Sequence, residues 1–230
     1  RAGRRCVERL AGEERRPQRG GLRPGEDRHR DDRRRHADAD LGERERRRRG
    51  DHHEIARRHQ PDASGANGAM AHAVPGDRPI RAGEPIVIDM GARLDGYYSD
   101  MTRTLCLGEP TDKFKEIYNL VLEAHLRAEQ ELRPGMTGKE GDALAREIIE
   151  KAGYGDQFTH SLGHGIGLEV HEGPSLRKTI DDTIPEGAVT SVEPGVYIEG
   201  WGGVRIEDLV LFRADGVEVL TKAEKQGYIL

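Results

Sequence analysis

Two pairs of carboxylates in matching surroundings are the residues best able to do chemistry in this sequence. Asp89 and Asp100 lie in IVIDMGARLDGYYSD, residues 86–100, and Glu193 and Glu207 lie in SVEPGVYIEGWGGVRIED, residues 191–208. Asp95-Gly96 is a strong signal for a two-residue hairpin loop. A hairpin closed there sets Leu94 opposite Tyr97 and Gly91 opposite Asp100, so Asp89 lies diagonal to Asp100 on the same face. The second segment has its midpoint at Gly200. A regular antiparallel ladder about that point places Glu193 and Glu207 on one face and turns Asp208 away. Taken singly, each acid reads better as a salt-bridged or strand-end group, and Asp95 reads as a turn residue. Two same-face pairs in like contexts point instead to a cation site, because converging carboxylates repel unless cations sit among them.

Nitrogen ligands are available in HSLGHGIGLEVHEGP, residues 160–174, where His160, His164 and His171 are interleaved with glycines. Glycine lets the backbone approach a site closely, although three histidines in such a run also suit an ordinary polar loop. Carboxylate-rich sites with imidazole favour Mn²⁺, Co²⁺, Fe²⁺ or Zn²⁺, and two ions can share bridging carboxylates. Paired ions lower the pKa of a shared water, so the natural chemistry is hydrolysis of a polarised carbonyl.

The elements that must position these groups follow from periodicity. Residues 85–89 read as a short strand entering the hairpin. Phe114, Ile117, Val121, Ala124, Ala128 and Leu132 recur at helical spacing, and the helix they define ends before Pro134-Gly135. A second helix opens on the capping box Thr137-Gly-Lys-Glu140, buries Leu144, Ile148 and Ile149, and stops at Gly153. His125, on the stripe of the first helix, reads as a half-buried helix residue. From Phe158 to about Val219 short apolar runs alternate with Gly and Pro, giving strands and turns and a mixed sheet with helices on one face. Gly83–Gly91 and Gly187–Gly195 echo each other, each with a Gly six residues before an acid and another two after it. A duplicated α/β half accounts for that echo.

Composition divides the chain. Of its 230 residues, 34% are hydrophobic and 4% aromatic, and the net charge is -5. Residues 1–60 hold 20 Arg, no Lys and 13 acids, a charge of +7, whereas the remainder carries -12. The first part has too few apolar side chains to offset chain entropy, so residues 1–62 are expected to be disordered or an out-of-frame translation, and residues 63–230 to form the catalytic domain. A nucleic-acid-binding arm is disfavoured, since acids interleave with the arginines and no aromatic ring is there to stack on bases. Cys6 and Cys106 have no metal-like spacing, no run is long and apolar enough to span a membrane, and no secretory signal is legible. A cytoplasmic location is the resulting expectation.

Residues 160–172, H-S-L-G-H-G-I-G-L-E-V-H-E, resemble the signature of the Xaa-Pro peptidases, prolidase and aminopeptidase P. IDMGARLDGYYSDMTRT and SVEPGVYIEGWGGVRIEDLVL are similar to two further blocks of these pita-bread metallopeptidases, a group that includes methionine aminopeptidase and creatinase. The resemblance covers roughly residues 63–230. It implies an α+β pita-bread fold with pseudo-duplicated halves and a curved mixed sheet, the first half incomplete. It implies two divalent ions, Mn²⁺ or Co²⁺ ahead of Zn²⁺ or Fe²⁺. Asp89 would be a terminal ligand of one ion, Asp100 and Glu207 would bridge, and His164 and Glu193 would complete the second. Glu193 would also move protons between the nucleophilic water and the leaving amine. His72 corresponds to the histidine before the first strand, His171 to the one stabilising the tetrahedral intermediate, and His160 to the residue lining the proline subsite. Arg205 would orient the bridging carboxylates, its alternative being a plain strand salt bridge.

The implied activity is hydrolysis of Xaa-Pro bonds, as aminopeptidase or dipeptidase, with a proline-containing peptide as substrate and a homodimer allowed. VRIED and LEVHE favour this over a methionine aminopeptidase-like enzyme. The five intact ligand positions speak against a non-catalytic pita-bread binding protein and against a metal-free creatinase-like hydrolase. Because residues 1–62 stand where the family has its first helices and strand, the apolar faces of the 111–152 helices and of strand 86–91 are expected to be exposed, and activity impaired.

Overall fold

The computed structural model describes residues 63–71, 73 and 77–225. The expectations for residues 1–62 and for His72 lie outside these. Asp95 and Gly96 both adopt positive φ, 52° and 92°, the backbone of the tight hairpin turn that asparagine, aspartate and glycine favour. The turn joins β2 (Pro85–Leu94) to β3 (Tyr97–Cys106). Their register pairs Leu94 with Tyr97, Gly91 with Asp100 and Asp89 with Thr102, as the turn chemistry requires. A short β1 (Ala63–Ser64) pairs antiparallel with the first half of β2, completing a three-stranded sheet. Ile86 and Val87 are buried at this end, while Met90 and Leu94 towards the tip are 42% and 53% exposed. The expected exposure of strand 86–91 therefore holds for Met90 and fails for Ile86 and Val87.

Two helices follow. In α1 (Asp112–Glu131) the Thr111 hydroxyl accepts a hydrogen bond from the Phe114 N–H, capping the first turn. In α2 (Gly138–Lys151) the capping box is complete, with Thr137 Oγ1 accepting from Glu140 N and Glu140 Oε2 accepting from Thr137 N. Every member of the periodic stripe of α1 has no solvent exposure, and on α2 Ile149 is buried while Leu144 and Ile148 are partly covered. The expected exposure of the helix faces is thus corrected. Val192, Val196, Val204, Ile206, Val210 and Phe212 from the C-terminal strands join the helix residues in one apolar cluster. His125 is also corrected, from half-buried to fully buried.

The rest of the described chain is β4 (Gly163–Gly165), β5 (Glu172–Leu176), β6 (Val189–Val192), β7 (Gly195–Ile198), β8 (Gly202–Arg205), β9 (Asp208–Arg213) and β10 (Gly216–Val219). Five of these form a sheet in the order β10-β9-β6-β4-β5, and β7 and β8 form a separate two-stranded ladder. Every pairing among the described strands is antiparallel. Val192 pairs with Asp208 and Gly195 with Arg205, so a single register runs across the gap between the two ladders and sets Glu193 opposite Glu207. Pro194 lacks an N–H and interrupts the ladder at that point. The freed donors turn to neighbours: Glu193 N–H bonds to Leu162 O at 2.7 Å, and Glu207 N–H to Thr102 O at 3.1 Å. Thr104 and the Arg205 backbone exchange two further bonds, of 2.8 and 3.0 Å. These links bring the hairpin carrying Asp89 and Asp100 against the strands carrying Glu193 and Glu207.

Candidate metal centre

One ligand atom each from Asp100, His164 and Glu207 lies within 4.8 Å of the others. His164 Nε2 is 3.9 Å from Asp100 Oδ2 and 3.3 Å from Glu193 Oε1. His164 Nδ1 contacts Gly165 O at 3.1 Å. A carbonyl only accepts, so Nδ1 carries the proton there and Nε2 turns a lone pair towards the carboxylates. Ser191 supports both partners, accepting from His164 N at 3.0 Å and donating to Glu193 Oε1 at 3.0 Å. His171, which is exposed, packs its ring against His164 at a centroid distance of 4.2 Å.

Arg205 organises the other side. Its Nη2 donates to Asp89 Oδ2 at 2.6 Å and its Nε to Thr102 Oγ1 at 2.9 Å, and Thr102 donates in turn to Glu207 Oε2 at 2.6 Å. Nη1 donates to Ala71 O at 2.9 Å and Tyr197 Oη at 3.1 Å. Tyr197 contacts His160 Nε2 at 2.9 Å, and His160 Nδ1 contacts Ser161 O at 2.7 Å. With Nδ1–H directed at that carbonyl, Nε2 accepts the tyrosine proton. His160 is therefore linked to Asp89 through Tyr197 and Arg205. Arg205 bonds to Asp89 directly and reaches Glu207 only through Thr102.

The model for metallopeptidase family M24 matches residues 27–214. The chain belongs to metallopeptidase family M24. It is 51% identical to the Xaa-Pro dipeptidase of Pyrococcus furiosus over 164 residues, 71% of this chain and 47% of that protein. The structure of an Xaa-Pro dipeptidase from Bacillus anthracis superposes with a TM-score of 0.71 at 50% identity, covering 73% of this chain and 47% of that one. An X-Pro aminopeptidase from Thermotoga maritima gives a TM-score of 0.71 at 46% identity, with 73% and 47% covered. The chain spans about half the length of these relatives. The pita-bread fold is thereby shown, in an incomplete part.

Family M24 peptidases are metal enzymes, and the donor set here fits divalent ions. Asp89 Oδ1 and Glu207 Oε1 are buried without a hydrogen-bond partner, while the second oxygen of each is held by Arg205 or Thr102. An imidazole lone pair facing carboxylate oxygens is likewise repulsive unless a cation lies between them. Burial, reinforced by Asp100 and Asp89, pushes the Glu193 carboxyl up to about 7 against the opposing pull of Arg205 and Ser191. Burial and the charges of Glu193 and Asp100 push Glu207 well above the carboxylate range. Burial works against the Arg205 charge, yet Tyr197, Asp89, Glu207 and Glu193 hold its pKa above the ordinary value. Burial drives Tyr197 up to about 12, so it is a donor at neutral pH.

Sequence reasoning missed Thr102, Ser191 and Tyr197. The first two lie two residues from Asp100 and Glu193, on the same strand faces, so the parity that paired the acids also reaches them. Tyr197, four residues after Glu193, shares that parity, but its contacts with His160 and Arg205 are tertiary and have no signature in the sequence.

Proposed function

We propose that this chain carries the metal centre of an Xaa-Pro peptidase, hydrolysing the bond before proline in a peptide or dipeptide. Asp89, Asp100, His164, Glu193 and Glu207 would hold two divalent ions, with Mn²⁺ or Co²⁺ as the first candidates. Such ions, when bound, polarise the scissile carbonyl and lower the pKa of a shared water. The observation that carries the reading is the convergence of Asp100, His164 and Glu207 within 4.8 Å, beside orphaned oxygens of Asp89 and Glu207. The likeness to Xaa-Pro dipeptidases at half their length supports the choice of substrate.

The chain's own residues then take the following parts. Glu193 receives the proton of the attacking water and returns it to the leaving proline nitrogen. His171, beside His164, donates a hydrogen bond to the carbonyl oxygen as it gains charge. His72 is the further catalytic residue of this scheme. Arg205 fixes the Asp89 and Glu207 carboxylates. His160, held by Tyr197, lines the proline subsite. An Xaa-Pro bond offers no N–H to recognise, so the pocket reads ring shape.

The test is turnover of Xaa-Pro and Met-Xaa peptides with added Mn²⁺ or Co²⁺, beside Glu193→Gln. Cleavage before proline that is lost with chelator and in the variant is expected. Chelator-resistant turnover, or preference for Met-Xaa, would overturn the assignment.

A further inference from the structure

Asp142 and Arg146 lie one turn apart on α2, both buried, and neither belongs to the acid centre. Arg146 grips Asp142 with two bonds, Nε to Oδ2 at 2.5 Å and Nη2 to Oδ1 at 3.0 Å. Its other contacts go to the main chain of one segment, Nη1 to Phe158 O at 3.0 Å and Nη2 to His160 O at 2.8 Å. Asp142 Oδ1 takes the Leu162 N–H of the same segment at 2.9 Å. The guanidinium also covers the Phe158 ring at 4.1 Å, and that ring meets His160 edge-on at 5.3 Å. Leu162 O in turn receives the Glu193 N–H. A buried ion pair gives a helix little net stability over apolar residues of the same volume. Here its donors and acceptors are aimed at three peptide groups flanking His160.

We infer that Asp142–Arg146 is a positioning pair that sets the His160 ring and, through it, the shape of the proline subsite. This rests on the Xaa-Pro reading above. Arginine is required because its planar fork reaches a carboxylate and two carbonyls at once, which the point charge of lysine does not. The pair therefore governs discrimination between proline and other residues rather than the chemical step.

The test uses the full chain with Arg146→Lys and, separately, Asp142→Asn. Ring ¹⁵N–¹H NMR of the metal-free protein reports His160 and His164 without needing turnover. Both variants are expected to shift the His160 signals, leave those of His164 in place and keep Co²⁺ affinity by calorimetry. In turnover, the preference for Xaa-Pro over Xaa-Ala dipeptides falls by roughly tenfold, through KM rather than kcat. Unchanged His160 signals, joint loss of His164 signals and Co²⁺ affinity, or failure of both variants to fold would each overturn the inference. Absence of Xaa-Pro cleavage by the parent chain would sink the functional reading alone, since the ring signals still decide whether the pair sets His160.

Discussion

Glu207 and Asp208 are neighbours in sequence, yet they serve two clusters of the same residue types on opposite sides of one strand. Glu207 meets Asp100 and His164; Asp208 meets His125 and Glu129. In both groups the ligand atoms lie within 4.8 Å of one another. The second cluster contains its own cations. Arg103 Nη2 bonds to Asp208 Oδ1 at 2.6 Å, and Lys225 Nζ touches Asp208 Oδ2 and both oxygens of Glu129, the latter at 2.8 Å. The Asp208 carboxyl is consequently held well below the carboxylate range; burial opposes this, and bonds from His125, Lys225 and Arg103 outweigh it. In the first cluster Arg205 bonds to Asp89 and reaches Glu207 only through Thr102, and Glu193 and Glu207 are pushed up instead. Proximity of His, Asp and Glu does not make a metal centre. What separates the two clusters is whether the chain supplies the counter-charge itself.

The largest effect that would break this contrast is on metal binding. Glu207→Gln keeps the volume and the acceptor for Thr102 but removes an anionic ligand of the proposed centre. Affinity for Mn²⁺ or Co²⁺ by calorimetry should fall by at least ~100-fold. The metal-free variant should unfold within about 1 kcal/mol of the parent, because no pre-formed ion pair is lost. A large loss of metal-free stability would show that Glu207 is a structural acid after all.

Asp208→Asn should give the opposite pattern. Arg103 would stay buried, and Lys225 partly buried, with one anion fewer, a change costing roughly 3–5 kcal/mol. Urea unfolding measures it, and calorimetry should still find the same number of ions per chain. Loss of metal binding with unaltered stability would reverse the roles of the two clusters. Lys225→Met is the milder version. Arg103 remains on Asp208 and the tail keeps the Tyr118 bond to Lys225 O at 2.8 Å. Its cost should be about 1–3 kcal/mol, again with unchanged metal stoichiometry.

How far the sequence foretold this depends on the range of the interaction. Asp89 and Asp100 were legible because Asp95-Gly96 dictates register and strand parity does the rest. Glu193 and Glu207 were legible because both ladders share a midpoint at Gly200, even though Pro194 splits them. His125 was misjudged, since its partners Asp208 and Lys225 are 83 and 100 residues away and helical periodicity says nothing of them. The same holds for much of the coverage of α1, whose apolar stripe was legible but whose partners, besides α2, include strands beyond residue 188. Asp142 and Arg146 have only the spacing of an ordinary helical i,i+4 pair. Their attachment to Phe158 and His160 is a tertiary fact with no periodic signature.

The smallest predicted effect calibrates the others, because it removes stability without touching a buried charge. Thr137→Ala deletes half of the α2 capping box and should cost about 1 kcal/mol by urea unfolding, with metal affinity and stoichiometry unchanged. Its pH dependence has a definite sign. Hydrogen bonds from the Thr137 backbone, and then from its side chain, hold the Glu140 carboxyl below its ordinary value of 4.5. A depressed acid contributes stability that is complete above that value and is lost as the pH falls through its folded-state pKa. The difference between parent and variant should therefore be constant from neutral pH down to about 5 and shrink below it. Asp208→Asn must exceed this difference at neutral pH. If the two variants lose the same stability there, the second cluster is no more than a surface-grade ion pair, and the argument that its own cations close it to metal fails.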